Sequence, residues 1–272
     1  MSKLYVVGTP IGNLGDLSQR AIDTLNSVDF IAAEDTRVSV KLLNHFDIKK
    51  PLVSYHEHSS DEKADFITNR ILQGESCALV SDAGMPVISD PGVRLIKECY
   101  NLSIPVESVP GPTALATALA ISGIECKRFC FEGFLSVNKP SRKRHLEELK
   151  DEKRLMIFYE APHKLLATLK DMYEVFGERN IAIVKELTKI HEKVMHLNFT
   201  QAIEMYEQTA PKGEFVLLIE GAKEQKREYT LQDAVEMARV YQREGLSSAQ
   251  AAKKAAKEFN FSRGEIYSLI CK

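Results

Sequence analysis

The chain lacks a strong charge of either sign. Its 272 residues hold 36 Lys and Arg against 38 Asp and Glu, a formal net charge of −2. That excludes a uniformly basic nucleic-acid coat and leaves room only for a local basic patch. No apolar run approaches the roughly 20 residues of a membrane-spanning helix. The opening MSKLYVVGTP has one lysine and a short apolar run before Gly-Thr-Pro, the pattern of a first strand and not of a signal peptide. The five cysteines (Cys77, Cys99, Cys126, Cys130 and Cys271) form no CxxC pair. Reduced, mostly buried thiols in a cytoplasmic protein are the expectation. Seven histidines include no HExxH, and His56 and His58 in YHEHSS read as polar loop residues before a metal pair. No metal site is expected. Phosphate loops are missing too: there is no GxxxxGK[ST], and GTPIGNLG is not the GxGxxG dinucleotide turn.

Strands and helices alternate in what remains. LYVVG, DFIAAED, PLVSY, CALVSD and IPVESV read as strands. Between them lie helical patterns, the first of which (DLSQRAIDTLNSV) takes Asp16 as its N-cap; Gly74 closes the pattern ADFITNRILQG. The alternation predicts an α/β fold with a largely parallel sheet. Near 125–155 the texture turns strongly charged (SVNKPSRKRHLEELKDEKR), and a domain boundary is placed there. The second part is α/β as well, with antiparallel pairings where connections are short. A polar linker, KEQKRE, leads to three short helices capped by Ser247–Ser248 and Ser262. The expected organisation is 1–123, an N-terminal α/β domain; 124–223, a second α/β domain; and 224–272, a helical region.

Three glycine-bearing loops fall at the carboxyl ends of strands: GTPIGNLGD (8–16), SDAGMPVISDPG (81–92) and VPGPTA (109–114). Ligands of open parallel sheets bind there. Glycine lets backbone approach a ligand, and proline keeps a loop stiff. Asp82 and Asp90 would repel a pyrophosphate. They suit a cationic, hydroxyl-bearing ligand such as S-adenosylmethionine (AdoMet), with its sulfonium, amino group and ribose. Stiff turns with aspartates as caps are the plainer alternative.

The segments GTPIGNLGD, AAEDTR, SDAGMPVISDPG, VPGPTALATAL, FEGFL, IFYEAPHK, KELTK and KGEFVLLIEG, in this order, resemble the tetrapyrrole methylase-like class of AdoMet-dependent methyltransferases. The likeness is to its branch acting on small-subunit ribosomal RNA, and it runs from about residue 3 to 221. It implies two α/β domains of tetrapyrrole methylase type with AdoMet in the cleft between them, and a homodimer. It also implies 2′-O-methylation of a cytidine in the decoding region of 16S rRNA within the small subunit. Carried over by residue, the resemblance gives Pro10 to the cofactor from the first loop, and Asp82, Ala83, Gly84 and Val87 from the second. Thr113 and Ala114 follow from the third loop, then Tyr159, Leu187, Gly213 and Glu214 from the second domain.

A weakly nucleophilic ribose hydroxyl gains from a base or an orienting group. Asp35 and Glu186 rank first, with Lys185 and Glu160 beside them and Glu34 and His56 as further candidates. Arg37 and Lys185 could instead grip phosphate. For RNA, Lys139, Arg142, Lys143, Arg144 and His145 cluster in NKPSRKRH, and the tail offers Lys253, Lys254, Lys257 and Arg263. Phe131, Phe134 and Tyr267 could stack on bases. A solvated loop for the first cluster and a solvated helix face for the second are the plain alternatives. Three rival functions stay open: a methyltransferase of the same fold acting on a tetrapyrrole or another small molecule, a non-catalytic AdoMet-holding ribosome assembly factor, and a nucleotide-phosphate enzyme.

Overall fold

The computed structural model describes residues 2–56, 61–223 and 229–271. His58 and most of the KEQKRE segment lie outside the described residues. Chain packing gives two compact units, residues 1–222 and 223–272.

The first unit contains two five-stranded sheets. In the first, β1 (Leu4–Val7), β2 (Phe30–Ala33), β3 (Leu52–Ser54), β4 (Cys77–Val80) and β5 (Val106–Val109) are all parallel, in the order β3-β2-β4-β1-β5. Helices α1 (Gln19–Ser27), α2 (Thr36–His45), α3 (Asp61–Leu72) and α4 (Val93–Asn101) make the crossovers, and α5 (Ala114–Ile121) follows β5. Every residue of β2 and β4 is buried, which is why FIAA and CALV are unbroken apolar runs. Leu4, Phe30 and Leu79 face one core while Val7, Ile31 and Val80 face another, so the sheet is covered on both sides. Asp16 does not cap α1. It ends a short 3-10 turn, Leu14–Asp16, that absorbs two residues and hands the cap to Ser18, whose Oγ accepts the Ala21 N–H at 3.1 Å.

The second sheet holds β6 (Phe129–Phe134), β7 (Leu155–Glu160), β8 (Asn180–Lys185), β9 (Lys193–Asn198) and β10 (Phe215–Ile219), in the order β6-β7-β10-β8-β9. Only β6 and β7 pair in parallel. The charged segment forms α6 (Lys139–Glu148), and α7 (Pro162–Phe176) and α8 (Phe199–Gln208) complete this half. Met156, Phe158 and Leu217 face a core shared with α7 and α8. The opposite face, with Ile157, Val184 and Val216, packs on Ala114, Leu115 and Ala118 of α5. Thus α5, apolar but for Thr117, joins the two sheets.

Two local devices aim side chains at this junction. Phe131 and Phe134 would point to opposite faces of an unbroken strand, since their separation is odd. A register shift between Phe131 and Gly133 takes up one residue, and both rings then meet Tyr159 edge-on, at 4.9 and 5.5 Å between centroids. The loops after β1 and β5 touch backbone to backbone. A Cβ on Gly111 would lie 2.7 Å from the Gly8 Cα, and the Gly8 N–H donates to Val109 O at 3.0 Å. Backbone cannot swing aside as a flexible side chain can. Gly111→Ala is therefore expected to cost about 1–3 kcal/mol, read as a lower urea midpoint.

The second unit is α9 (Leu231–Arg243), α10 (Ser248–Phe259) and α11 (Arg263–Ile270) around its own core of alanines, Val235, Phe259 and Ile266. Ser247 caps α10 reciprocally with Gln250. Ser262 occupies the cap position of α11 without a side-chain hydrogen bond. Lys254 lies 3.8 Å over the Tyr241 ring, and Lys253, Lys257, Arg263 and Tyr267 are exposed. Among the described residues no helix is long and apolar enough to cross a membrane, and no cluster of metal-ligating side chains forms.

Candidate active site

Since β1 to β5 are parallel, their carboxyl ends share one edge of the sheet, and the three glycine loops gather there. Thr9 knits them. It is buried, its N–H donates to Gly84 O at 2.9 Å and the Gly84 N–H returns to Thr9 O at 3.1 Å. Its hydroxyl is within 3.3 Å of both Ser81 O and Gly84 O. Thr9 was not among the sequence candidates, because a lone threonine beside a proline carries no signal until the second loop is in place. Val87 has φ +77°, in the left-handed region that a β-branched residue rarely adopts, and its side chain packs on the first-sheet core. Gly92 makes room for it: a Cβ there would meet Val87 Cγ2 at 2.7 Å.

A cavity of about 560 Å³ opens between these loops and the second sheet. That lies within the usual range for small-molecule sites. Asp82, Ala83, Gly84, Thr113 and Ala114 line it from the first half, and Tyr159, Leu187 and Glu214 from the second. Pro10, Val87 and Gly213 do not line it. Pro10 is buried, Val87 faces inward, and Gly213 (φ +92°) serves Glu186, whose carboxylate would lie 2.5 Å from a Cβ at that position. Residues absent from the sequence candidates also reach the cavity, among them Ile11, Met85, Ile88, Val184, Phe215 and Val216.

The charge of the lining is one-sided. Glu34, Asp82, Asp90, Glu160 and Glu214 contribute carboxylates, and no lysine, arginine or histidine is among the described residues that line it. Asp82 Oδ1 accepts the Asp35 N–H at 3.0 Å. Burial, together with the charge of Asp35, raises the pKa of Asp82; burial and the charge of Asp82 raise that of Asp90. A cation in the cavity would relieve both. A pyrophosphate would aggravate them. The Tyr159 hydroxyl accepts the Leu115 N–H at 2.8 Å, so one phenol ties β7 to the first turn of α5. Burial raises its pKa and keeps it neutral.

Of the residues proposed for chemistry, only Glu160 and Glu34 line the cavity. Glu160 is almost fully buried and already engaged, by the Thr168 hydroxyl at 2.6 Å, the Ala161 N–H at 2.8 Å and Lys164 at 3.2 Å. Asp35 stands outside as the N-cap of α2, gripped by the Arg37 guanidinium at 2.6 Å. Hydrogen bonds from Arg37 hold its pKa down at about 2, which makes it a weak base. Arg37 pairs with Asp35 through Nε and Nη2 while its side chain stays largely exposed. Glu186 sits at φ +52° in the loop after β8, with Oε1 accepting the Glu214 N–H at 3.0 Å and Lys189 Nζ at 3.1 Å. Burial opposes its ionisation, but those bonds outweigh burial and lower its pKa. Lys185 ends β8 and does not reach the cavity. His56 lines a separate cavity.

The basic cluster also divides. Arg142 is buried and its guanidinium is fully spoken for. Nε reaches Asp171 Oδ2 at 2.7 Å, and Nη1 reaches Ser136 O and Val137 O at 3.1 and 3.2 Å. It anchors α6 to α7 and is withdrawn from the RNA-facing set, because the helical period turns it inward with Leu146. Lys143 pairs with Glu174, Lys139 lies 3.8 Å from Asp171, His145 meets Glu132 at 3.0 Å, and Arg144 is exposed.

Comparison with known proteins agrees with this geometry. The tetrapyrrole (corrin/porphyrin) methylase family matches residues 3–203. A protein of Synechocystis sp. named ribosomal RNA small subunit methyltransferase I is 44% identical over 99% of this chain and 97% of its own length. A Thermotoga maritima protein of the same name is 47% identical over 81% of this chain and 99% of its own. Among solved structures, uroporphyrin-III C-methyltransferase from Thermus thermophilus complexed with S-adenyl homocysteine superposes with a TM-score of 0.57 at 16% identity, over 79% of this chain and 97% of that one, a likeness of fold. With its two sheets, its loop-lined cavity and these relatives, the chain belongs to the tetrapyrrole (corrin/porphyrin) methylase family, in the group of ribosomal RNA small subunit methyltransferase I.

Proposed function

We propose that this protein is an AdoMet-dependent methyltransferase that transfers a methyl group to the ribose 2′-hydroxyl of a cytidine in the decoding region of small-subunit rRNA. The observation that carries the AdoMet part is the cavity lined, among the described residues, by five carboxylates and no basic side chain. Its carboxylate acceptors fit a sulfonium, an amino group and ribose hydroxyls, and its apolar wall of Ile11, Leu187 and Val216 fits an adenine. Asp82 and the backbone of Ala83 and Gly84 would hold the cofactor from the first half; Tyr159, Leu187 and Glu214 would enclose it from the second. Bound there, AdoMet supplies an electrophilic methyl group. The protein's contribution is chiefly to position the hydroxyl and exclude water, which can supply about 7–11 kcal/mol.

RNA is the substrate class named for the relatives, and Lys139, Lys143 and Arg144 on α6 offer it phosphate contacts. A homodimer working in the cytoplasm completes the reading, with residues 1–123 and 124–223 forming the two walls of the cleft. The test is labelled AdoMet with small subunits from a strain lacking this protein. Label should enter 16S rRNA at one nucleotide, whose 3′ linkage then resists alkali because its 2′-oxygen is blocked. Label in a tetrapyrrole, or subunit binding without label, would establish one of the rival functions instead.

A further inference from the structure

The 81–92 loop borders two cavities. The second, about 390 Å³, shares Ile88, Ser89 and Asp90 with the first. Its lining differs in charge. Arg94 from the start of α4 and His56 from the segment after β3 stand there with Asp90, whereas the charged side chains lining the first cavity are, among the described residues, all carboxylates. Tyr55 is buried at its base, its oxygen held by the Leu95 backbone. A guanidinium and an imidazole suit the phosphate of a nucleotide, and the shared carboxylate suits its sugar hydroxyl.

We propose that this second cavity receives the ribose-phosphate unit of the RNA substrate, and that Asp90, facing both cavities, holds the acceptor hydroxyl and takes its proton. The proposal rests on the methyltransferase function given above. In the balanced step a C–O bond forms at the hydroxyl oxygen, the C–S bond to the donor sulfur breaks, the sulfonium becomes a thioether, and the hydroxyl proton passes to the Asp90 carboxylate.

Asp90 is suited to this where Asp35, Glu186 and Glu160 are not. Asp35 is bound to Arg37, Glu186 to Lys189, and Glu160 to Thr168 and Lys164. Among the described residues no cation pairs with Asp90; its acceptor bond comes from the Ser89 backbone. It is half-buried; burial and Asp82 raise its pKa in the free protein, and the bound cation offsets part of that rise. Asp82 on the same loop and Tyr159 on β7 interact with its charge, Glu34, Glu160 and Glu214 line the first cavity with it, and His56 after β3 and Arg94 on α4 line the second.

The experiment compares full-length wild type, Asp90→Asn and Arg94→Ala on unmethylated small subunits. Asp90→Asn should lower kcat by about 10²–10⁴-fold. It should also lose the rise of kcat with pH that a base working in its deprotonated form produces, while subunit binding stays as in wild type. Arg94→Ala, assayed without AdoMet by filter binding, should weaken subunit binding and lower the slope of log K against log salt by about one. Wild-type kcat or an unchanged pH limb in Asp90→Asn overturns the role of Asp90. Unchanged binding and slope in Arg94→Ala overturns the cavity assignment. If wild type itself transfers no label, the methyltransferase reading fails, and the cofactor-free Arg94 binding assay still decides the cavity.

Discussion

Asp171→Ala is expected to destabilise the protein by about 3–5 kcal/mol, since it strands a buried guanidinium without its counter-charge. The Arg142 and Asp171 side chains are each only 10% exposed, and the guanidinium also closes the segment before α6 through Ser136 O and Val137 O. Arg142→Met should cost a similar amount, because it leaves a buried carboxylate and two carbonyls without a donor. The double variant Arg142→Met/Asp171→Leu should recover most of the loss, since an apolar pair asks for no desolvation of charge. Urea titration followed by circular dichroism measures all three. RNA binding separates the pair from its neighbours. Arg142→Met should leave the salt dependence of subunit binding as it is, while neutralising Lys139, Lys143 and Arg144 should flatten it by about one unit of slope for each phosphate no longer neutralised. A flattened slope in Arg142→Met would return that residue to the RNA-facing set.

Asp82→Ala is expected to weaken AdoMet binding by about 10- to 150-fold, the loss of one hydrogen bond to a charged group at about 1.5–3 kcal/mol. The same carboxylate holds the Asp35 N–H and so fixes the start of α2 against the second loop. Asp82→Asn keeps an acceptor for that N–H and removes only the charge, which separates the two roles. The sign of the pH dependence follows from the raised pKa. A cationic ligand favours the ionised carboxylate and lowers its pKa, so affinity should rise with pH through the free protein's raised value and then level off. Asp90 titrates in the same cavity, and Glu34, Asp35 and Arg37 stand near Asp82, so Asp82→Asn should diminish the rise without abolishing it. Calorimetry across the range just above ordinary carboxylate pKa values checks this. Wild-type affinity with an undiminished pH rise in Asp82→Asn would remove Asp82 from the cofactor.

The features legible in the sequence were those set by local chemistry. Strands β2 and β4 announced themselves as apolar runs, and Gly8, Gly84 and Gly111 marked the loops where backbone must come close. What stayed hidden depends on partners distant in the chain. Arg142 read as a member of a basic cluster because Asp171 lies 29 residues away on another helix. Asp35 ranked above its neighbour Glu34 in AEDTR, yet Glu34 borders the cavity and Asp35 turns back to cap α2. Phe134 owes its place to a register shift that no alternation of residues reveals. Asp90 stands in the 81–92 loop, but its access to two cavities emerges only when β3 and α4 bring His56 and Arg94 into the lining of the second.

A crystal structure of the full chain with AdoMet tests the central claim most directly. The ligand is expected in the 560 Å³ cavity, with the Asp82 carboxylate within hydrogen-bond reach of one of its polar groups and Leu187 and Val216 against its adenine. AdoMet bound elsewhere, or turned so that its cationic groups avoid the carboxylates, would contradict that claim.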